Sequence, residues 1–167
     1  EMDMTDKNVS IMNIGSMGYL PQVFKKIENE KKLNIVYLGG SITMGCNATK
    51  TELKYVDRSA KWWQTNFPDA EISYFNAGIG ATTSQFGVAR VQEHVLDKQP
   101  DLVFVEFSVN DSSSPLFMET YESLVRRLLK AESVKAVVLI NNLFYDTGTN
   151  AQGIHNAVGL HYDLPIV

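Results

Sequence analysis

Short apolar runs alternating with helix-like stretches set the tightest limit on what this chain can fold into. LNIVYL (33–38) ends in Gly39-Gly40, and EISYFN (71–76) ends in a glycine-rich turn. DLVFVEFSV (101–109) and VKAVVLI (134–140) follow, and LPIV (164–167) reads as the start of a fifth strand. Near-continuous apolar strands indicate a sheet covered on both faces. Helical stripes lie between them. Leu20, Val23, Phe24 and Ile27 repeat at i, i+3, i+4, i+7, with Pro21 in the first turn and the KKIENEKK charges as a solvated face. A short helix over 59–67 carries Trp62 and Trp63, one of which packs on the sheet. Val88, Val91 and Val95 mark a helix over 83–98 closed by Pro100, and Tyr121, Leu124, Val125, Leu128 and Leu129 mark one over 115–131. The stretch from Asn150 reads as a helix leading into the fifth strand. Such alternation predicts right-handed crossovers and a parallel sheet: an α/β fold, a three-layer α/β/α sandwich of flavodoxin-like style.

No repeat, low-complexity tract or linker divides the 167 residues, so 1–167 reads as a single domain. A chain of this length buries roughly 70 % of its unfolded surface and needs no covalent staple. Cys46 is its one cysteine, which excludes an internal disulfide and a cysteine-based zinc site. His94, His155 and His161 lack metal-helix spacing, so no metal is expected. Lys+Arg 15 against Asp+Glu 19 gives a net charge of −4, with no basic surplus for a phosphate backbone, so nucleic acid is not an expected partner. No apolar run approaches the roughly 18 residues of a membrane span. The opening EMDMTDKNVS is polar and shows no signal peptide. Because the chain starts with Glu1, a mature or excised form is expected and the compartment stays open. Sequons at Asn8 and Asn47 have meaning only in a source that glycosylates.

In open α/β sheets ligands bind beyond the carboxyl ends of the strands. Three polar, glycine-bearing turns fall there: Gly39-Gly40-Ser41-Ile42-Thr43-Met44-Gly45, Asn76-Ala77-Gly78-Ile79-Gly80-Ala81-Thr82-Thr83, and Ser108-Val109-Asn110-Asp111. Small residues before Ser41 allow a sharp turn that exposes its hydroxyl at a helix start, where the dipole and free N–H groups stabilise an oxyanion. Asn110 offers an uncharged NH₂ donor to the same charge. A phosphate cradle is the rival reading. However, no Gly-Lys-Ser/Thr follows the first turn, and Gly78-Ile79-Gly80 lacks the third glycine of a dinucleotide fingerprint.

Taken together, GGSIT, NAGIGATT and SVND resemble blocks I, II and III of the SGNH (GDSL-type) hydrolases, a family of esterases and lipases. The likeness runs from about Leu33 to Ile140, with Gly40 where Asp is common and Ser108 in place of a glycine. It implies a serine esterase or acylhydrolase in which Ser41 is the nucleophile and its N–H an oxyanion donor. The second donor would be the N–H of Ala81, with Gly80 as the neighbouring alternative, and the third Asn110. The form of the blocks is most similar to members acting on acylated, chiefly acetylated, carbohydrates, and no cofactor is implied.

A serine needs a general base. The family's Asp-x-x-His block does not occur in this sequence, so the chain reads as a C-terminally incomplete front part of such a domain. His155 and His161, helped by Asp146 or Asp163, are weak substitutes, and His94 reads as a packing or surface residue. A base from a partner chain is a further option, and a missing last segment makes a homo-oligomer plausible. Asp111 reads as a cap for the helix start ahead of Ser112–Pro115, and Cys46 as a small buried hydrophobe. The competing class is a catalytically weak or inactive binding module that keeps the pocket without a base.

Overall fold

A computed structural model describes residues 10–167, so the sequon at Asn8 and the first nine residues lie outside it. Four parallel strands, β1 (Lys32–Gly39), β2 (Glu71–Gly78), β3 (Leu102–Glu106) and β4 (Ala136–Leu139), form one sheet in the order β2-β1-β3-β4. Six α-helices flank it: α1 (Leu20–Glu30), α2 (Ser41–Met44), α3 (Tyr55–Asn66), α4 (Ser84–His94), α5 (Pro115–Leu129) and α6 (Gln152–His161). The expected three-layer α/β/α sandwich is observed.

Strand alternation splits the core into two. Val36, Leu38, Val103, Val105, Val137 and Leu139 face α4, α5 and α6. Leu33, Ile35, Tyr37, Leu102 and Ala136 face α1 and α3. Proline in the first turn of α1 and of α5 supplies a preset φ where no N–H is needed, and Arg126 and Arg127 in the last turn of α5 suit its negative end. The α5 stripe buries Tyr121, Leu124, Val125 and Leu128, each worth about 1.5–3 kcal/mol relative to exposure. Trp63 packs on the sheet, whereas Trp62 is exposed.

Three local expectations change. EISYFN is not a buried strand. It forms the outer strand β2, paired to β1 alone, and Tyr74 and Phe75 are 39 % and 42 % exposed. Lys26 leaves the solvated face of α1, because its Nζ lies 2.6 Å from Oδ1 of buried Asp101. That contact raises the lysine pKa. The helix over 83–98 breaks after His94 into a 3₁₀ turn at Leu96–Lys98, ended by Gln99 at φ 52°.

The fifth run does reach the sheet. Leu139 N–H donates to Pro165 O at 2.9 Å and Val167 N–H to Leu139 O at 3.0 Å, parallel to β4. On its other side Ile166 pairs antiparallel with Asn13: Met12 N–H donates to Ile166 O and Ile166 N–H to Asn13 O, both at 2.9 Å. An apolar groove of about 290 Å³ lies on the α1–α3 side, lined by Leu20, Phe24, Trp62, Phe104, Val138 and others. Among the described residues no helix is long and apolar enough to cross a membrane, and no three His, Cys, Asp or Glu side chains gather to hold a metal.

Candidate active site

The three turns meet at Gly40. A Cβ built there would lie 2.5 Å from Asn110 Oδ1 and 3.4 Å from the backbone oxygen of Thr82. One glycine thus touches both the second and the third turn from the first.

The first turn is tight because its glycines leave room. A Cβ on Gly39 would overlap the Thr43 hydroxyl, and one on Gly78 would overlap the backbone at Thr43–Met44. With neither present, the one-turn helix α2 settles onto the ends of β1 and β2. Asn76 secures it: Nδ2 donates to Thr43 O at 2.8 Å while Oδ1 accepts Gly78 N–H at 2.9 Å. Ser41 opens this helix half-buried, behind Gly40 as N-cap. Its N–H has no hydrogen-bond partner among the described residues. Gly45 closes the turn at φ 93°. Cys46 follows it and is exposed, which corrects the expectation of a buried hydrophobe. The closing turn carries its side chain outward from the sheet instead of onto it.

In the second turn Ala81 sits at φ 57°, in the left-handed region that glycine favours, and its N–H is likewise unpartnered. In the third, Asn110 and Asp111 both donate backbone N–H groups to Phe107 O at 3.0 Å. Asn110 Oδ1 is buried without a partner. The Asp111 carboxylate accepts Ser84 N–H at 2.8 Å and lies 3.0 Å from His155 Nε2. Asp111 therefore caps α4, not the helix start ahead of Ser112–Pro115, because the fold brings the α4 start closer than the local chain does. Ser108, the departure from the family glycine, accepts Asn142 N–H at 2.6 Å and donates to Asn142 O at 2.7 Å, stapling the loop after β4 to this turn.

No hydrogen bond links a histidine to Ser41 among the described residues. His155 is wholly buried on α6, paired to Asp111 and stacked on Tyr121 with ring centroids 3.6 Å apart. His161 is exposed at the far end of α6, which runs back toward the amino ends of the strands. Asp146 lies in the exposed loop before α6, and Asp163 follows it. His94 closes α4 with Nδ1 3.2 Å from an Arg90 nitrogen.

Two buried charges beneath the turns went unread in the sequence. Arg90 donates to Ala77 O at 2.6 Å and Gly39 O at 3.1 Å, bracing the ends of β2 and β1, and burial lowers its pKa. Glu106 ends β3 beside Gly39 and accepts the Thr43 hydroxyl at 3.1 Å. Burial pushes its carboxyl up, opposed first by that hydroxyl. A lone charge inside an apolar run, as in FVEFSV, is the signal that would have found it.

The GDSL-like Lipase/Acylhydrolase family matches residues 37–161. Among solved structures, a two-domain esterase (CEX) active on acetylated mannans, co-crystallised with mannopentaose, is 48 % identical at a TM-score of 0.92. The alignment covers 95 % of this chain and 43 % of that one, so this chain spans less than half of that relative's length. AlinE4, an SGNH-hydrolase family esterase, aligns at 21 % identity and TM-score 0.66 over 81 % of this chain and 75 % of its own. Axe2 (H194A), an acetylxylan esterase from Geobacillus stearothermophilus, aligns at 18 % and 0.66 over the same shares. These last two likenesses concern the fold. No curated protein matches. On the extent of the family match and the identity to the mannan-active esterase, the chain belongs to the GDSL-like lipase/acylhydrolase (SGNH) family.

Proposed function

We propose that this chain carries the nucleophile and oxyanion hole of a serine esterase that removes acetyl groups from a carbohydrate. The observation that supports it most is the meeting of the three turns at Gly40, with Ser41 N–H, Ala81 N–H and the Asn110 side-chain NH₂ free of hydrogen-bond partners among the described residues. Donors left free at the strand ends suit a developing oxyanion as their partner. In the proposed reaction Ser41 Oγ attacks the acetyl carbonyl and the three donors hold the tetrahedral oxyanion. The base takes the serine proton and passes it to the departing sugar hydroxyl. Water then attacks the acetyl-serine, releasing acetate and restoring the hydroxyl. The carbohydrate follows from the relative active on acetylated mannans.

Neither helix α6 histidine suits the base. His155 is committed to Asp111 and sealed from solvent, and His161 is exposed at the carboxyl end of α6. The reading therefore takes the base from outside these 167 residues.

Hydrolysis of p-nitrophenyl acetate beside Ser41→Ala tests this. No turnover above Ser41→Ala is the expected result for this chain alone. Ser41-dependent turnover is expected once a segment or partner supplying a base is joined to it, and Asn110→Ala should then lower turnover by about 10²–10³. Ser41-dependent turnover by this chain alone would overturn the external base and call for His155 and His161 substitutions. Binding of acetylated manno-oligosaccharide without cleavage, even with a base joined, would favour the binding-module reading.

A further inference from the structure

Glu106 is a wholly buried carboxyl that the acyl-transfer chemistry does not use. By strand alternation it shares a face with Leu102 and Phe104, toward α3, where a leucine would pack at no electrostatic cost. Its position accounts for the charge. Glu106 stands beside Gly39 in the β1–β3 register, and its own backbone oxygen accepts Gly40 N–H at 3.3 Å. Its Oε2 accepts the Thr43 hydroxyl at 3.1 Å, and Thr43 Oγ1 is 2.9 Å from the hydroxyl of half-buried Tyr55. Oriented from Tyr55 to Thr43 to Glu106, each hydroxyl donates once and the chain ends on a carboxylate oxygen. Oε1 has no partner.

We propose that Glu106 is the positioning residue of the nucleophile turn: through the Thr43 hydroxyl its carboxyl holds α2 against the strand ends and so sets where Ser41 stands. A four-residue helix has almost no intrinsic stability, because nucleation outweighs its few hydrogen bonds. Its geometry must come from outside: Asn76 holds its backbone at Thr43 O, and Glu106 holds it by the Thr43 side chain. The Thr43 hydroxyl and the Gly40 and Thr43 backbone groups of this turn draw the Glu106 pKa down against burial. The proposal rests on the esterase reading for its purpose, but its test does not need turnover.

Amide hydrogen exchange reads the turn directly, through Met44 N–H to Gly40 O and Gly45 N–H to Ser41 O, both 3.0 Å. Thr43→Val and Glu106→Leu, which keep apolar volume, are expected to lower protection of these two amides at least tenfold while β1 amides stay protected. Thr43→Ser, which keeps the hydroxyl, is expected to retain it. Unchanged protection in Thr43→Val and Glu106→Leu would overturn the proposal. So would an equal loss throughout β1, or a loss in Thr43→Ser as large as in Thr43→Val. Failure of the esterase reading would show instead as absent Ser41-dependent turnover after a base is supplied, whatever the exchange pattern.

Discussion

Ala81 holds a backbone conformation that its side chain disfavours. The left-handed region costs an alanine about 1–2 kcal/mol, and φ 57° places it there. Such strain gathers where geometry is demanded by a site. Ala81→Gly should relieve it, less about 0.4–1 kcal/mol for the greater freedom of an unfolded glycine. The expected net gain is about 0.5–1 kcal/mol in urea unfolding, and a loss of stability would mean that the alanine is unstrained. At this scale the sequence was legible where a residue type is itself the message. The meeting of the turns that carry Ser41, Ala81 and Asn110 was legible in their order after successive strands, while the roles of these residues belong to the proposed reaction. Exposure was not legible: Cys46 follows a left-handed turn whose direction no single residue announces.

Helices and strands were legible because apolar spacing records the face each one buries. Their neighbours were not. Nothing in EISYFN distinguishes an outer strand from a central one, since both read as apolar runs and only the sheet order separates them. Likewise, no local period links Asp111 to His155, although that pair joins the third turn to α4 and α6. The carboxylate satisfies the first orphan N–H of α4 and the only partnered nitrogen of His155, whose Nδ1 is buried without a partner. Asp111→Ala should therefore cost about 1–3 kcal/mol in urea unfolding for each of these buried groups left unpaired. Asp111→Asn keeps an acceptor for Ser84 and should cost less. Equal losses would show that the α4 cap adds nothing.

Across the whole molecule, burial gives the fold a titration signature at alkaline pH. Burial raises the phenols of Tyr37, Tyr55 and Tyr121, that of Tyr37 to about 12. The unfolded chain loses these protons near pH 10, where the folded one still holds them. Stability from these groups is thus full below pH 10 and falls as pH rises toward and through the folded values. Tyr37→Phe removes one such group together with its 2.8 Å bond to Ser59. Its deficit against the parent should shrink by about 2 kcal/mol between pH 10 and 12. A constant deficit across that range would contradict the burial account. The overall layering was readable from alternation alone, whereas the bridge from Asn13 to Ile166 was not, since its partners lie at opposite ends of the chain. That bridge bears on the order of events in folding. Closing so long a loop carries a large entropy penalty before any contact rewards it, and distant pairings slow folding. The β1–β2 and β3–β4 pairings close much shorter loops and can form before this bridge. The strand beyond β4 takes its antiparallel partner only once Ile166 has been synthesised, long after Asn13, so on the ribosome this seam closes later than the pairings among β1 to β4.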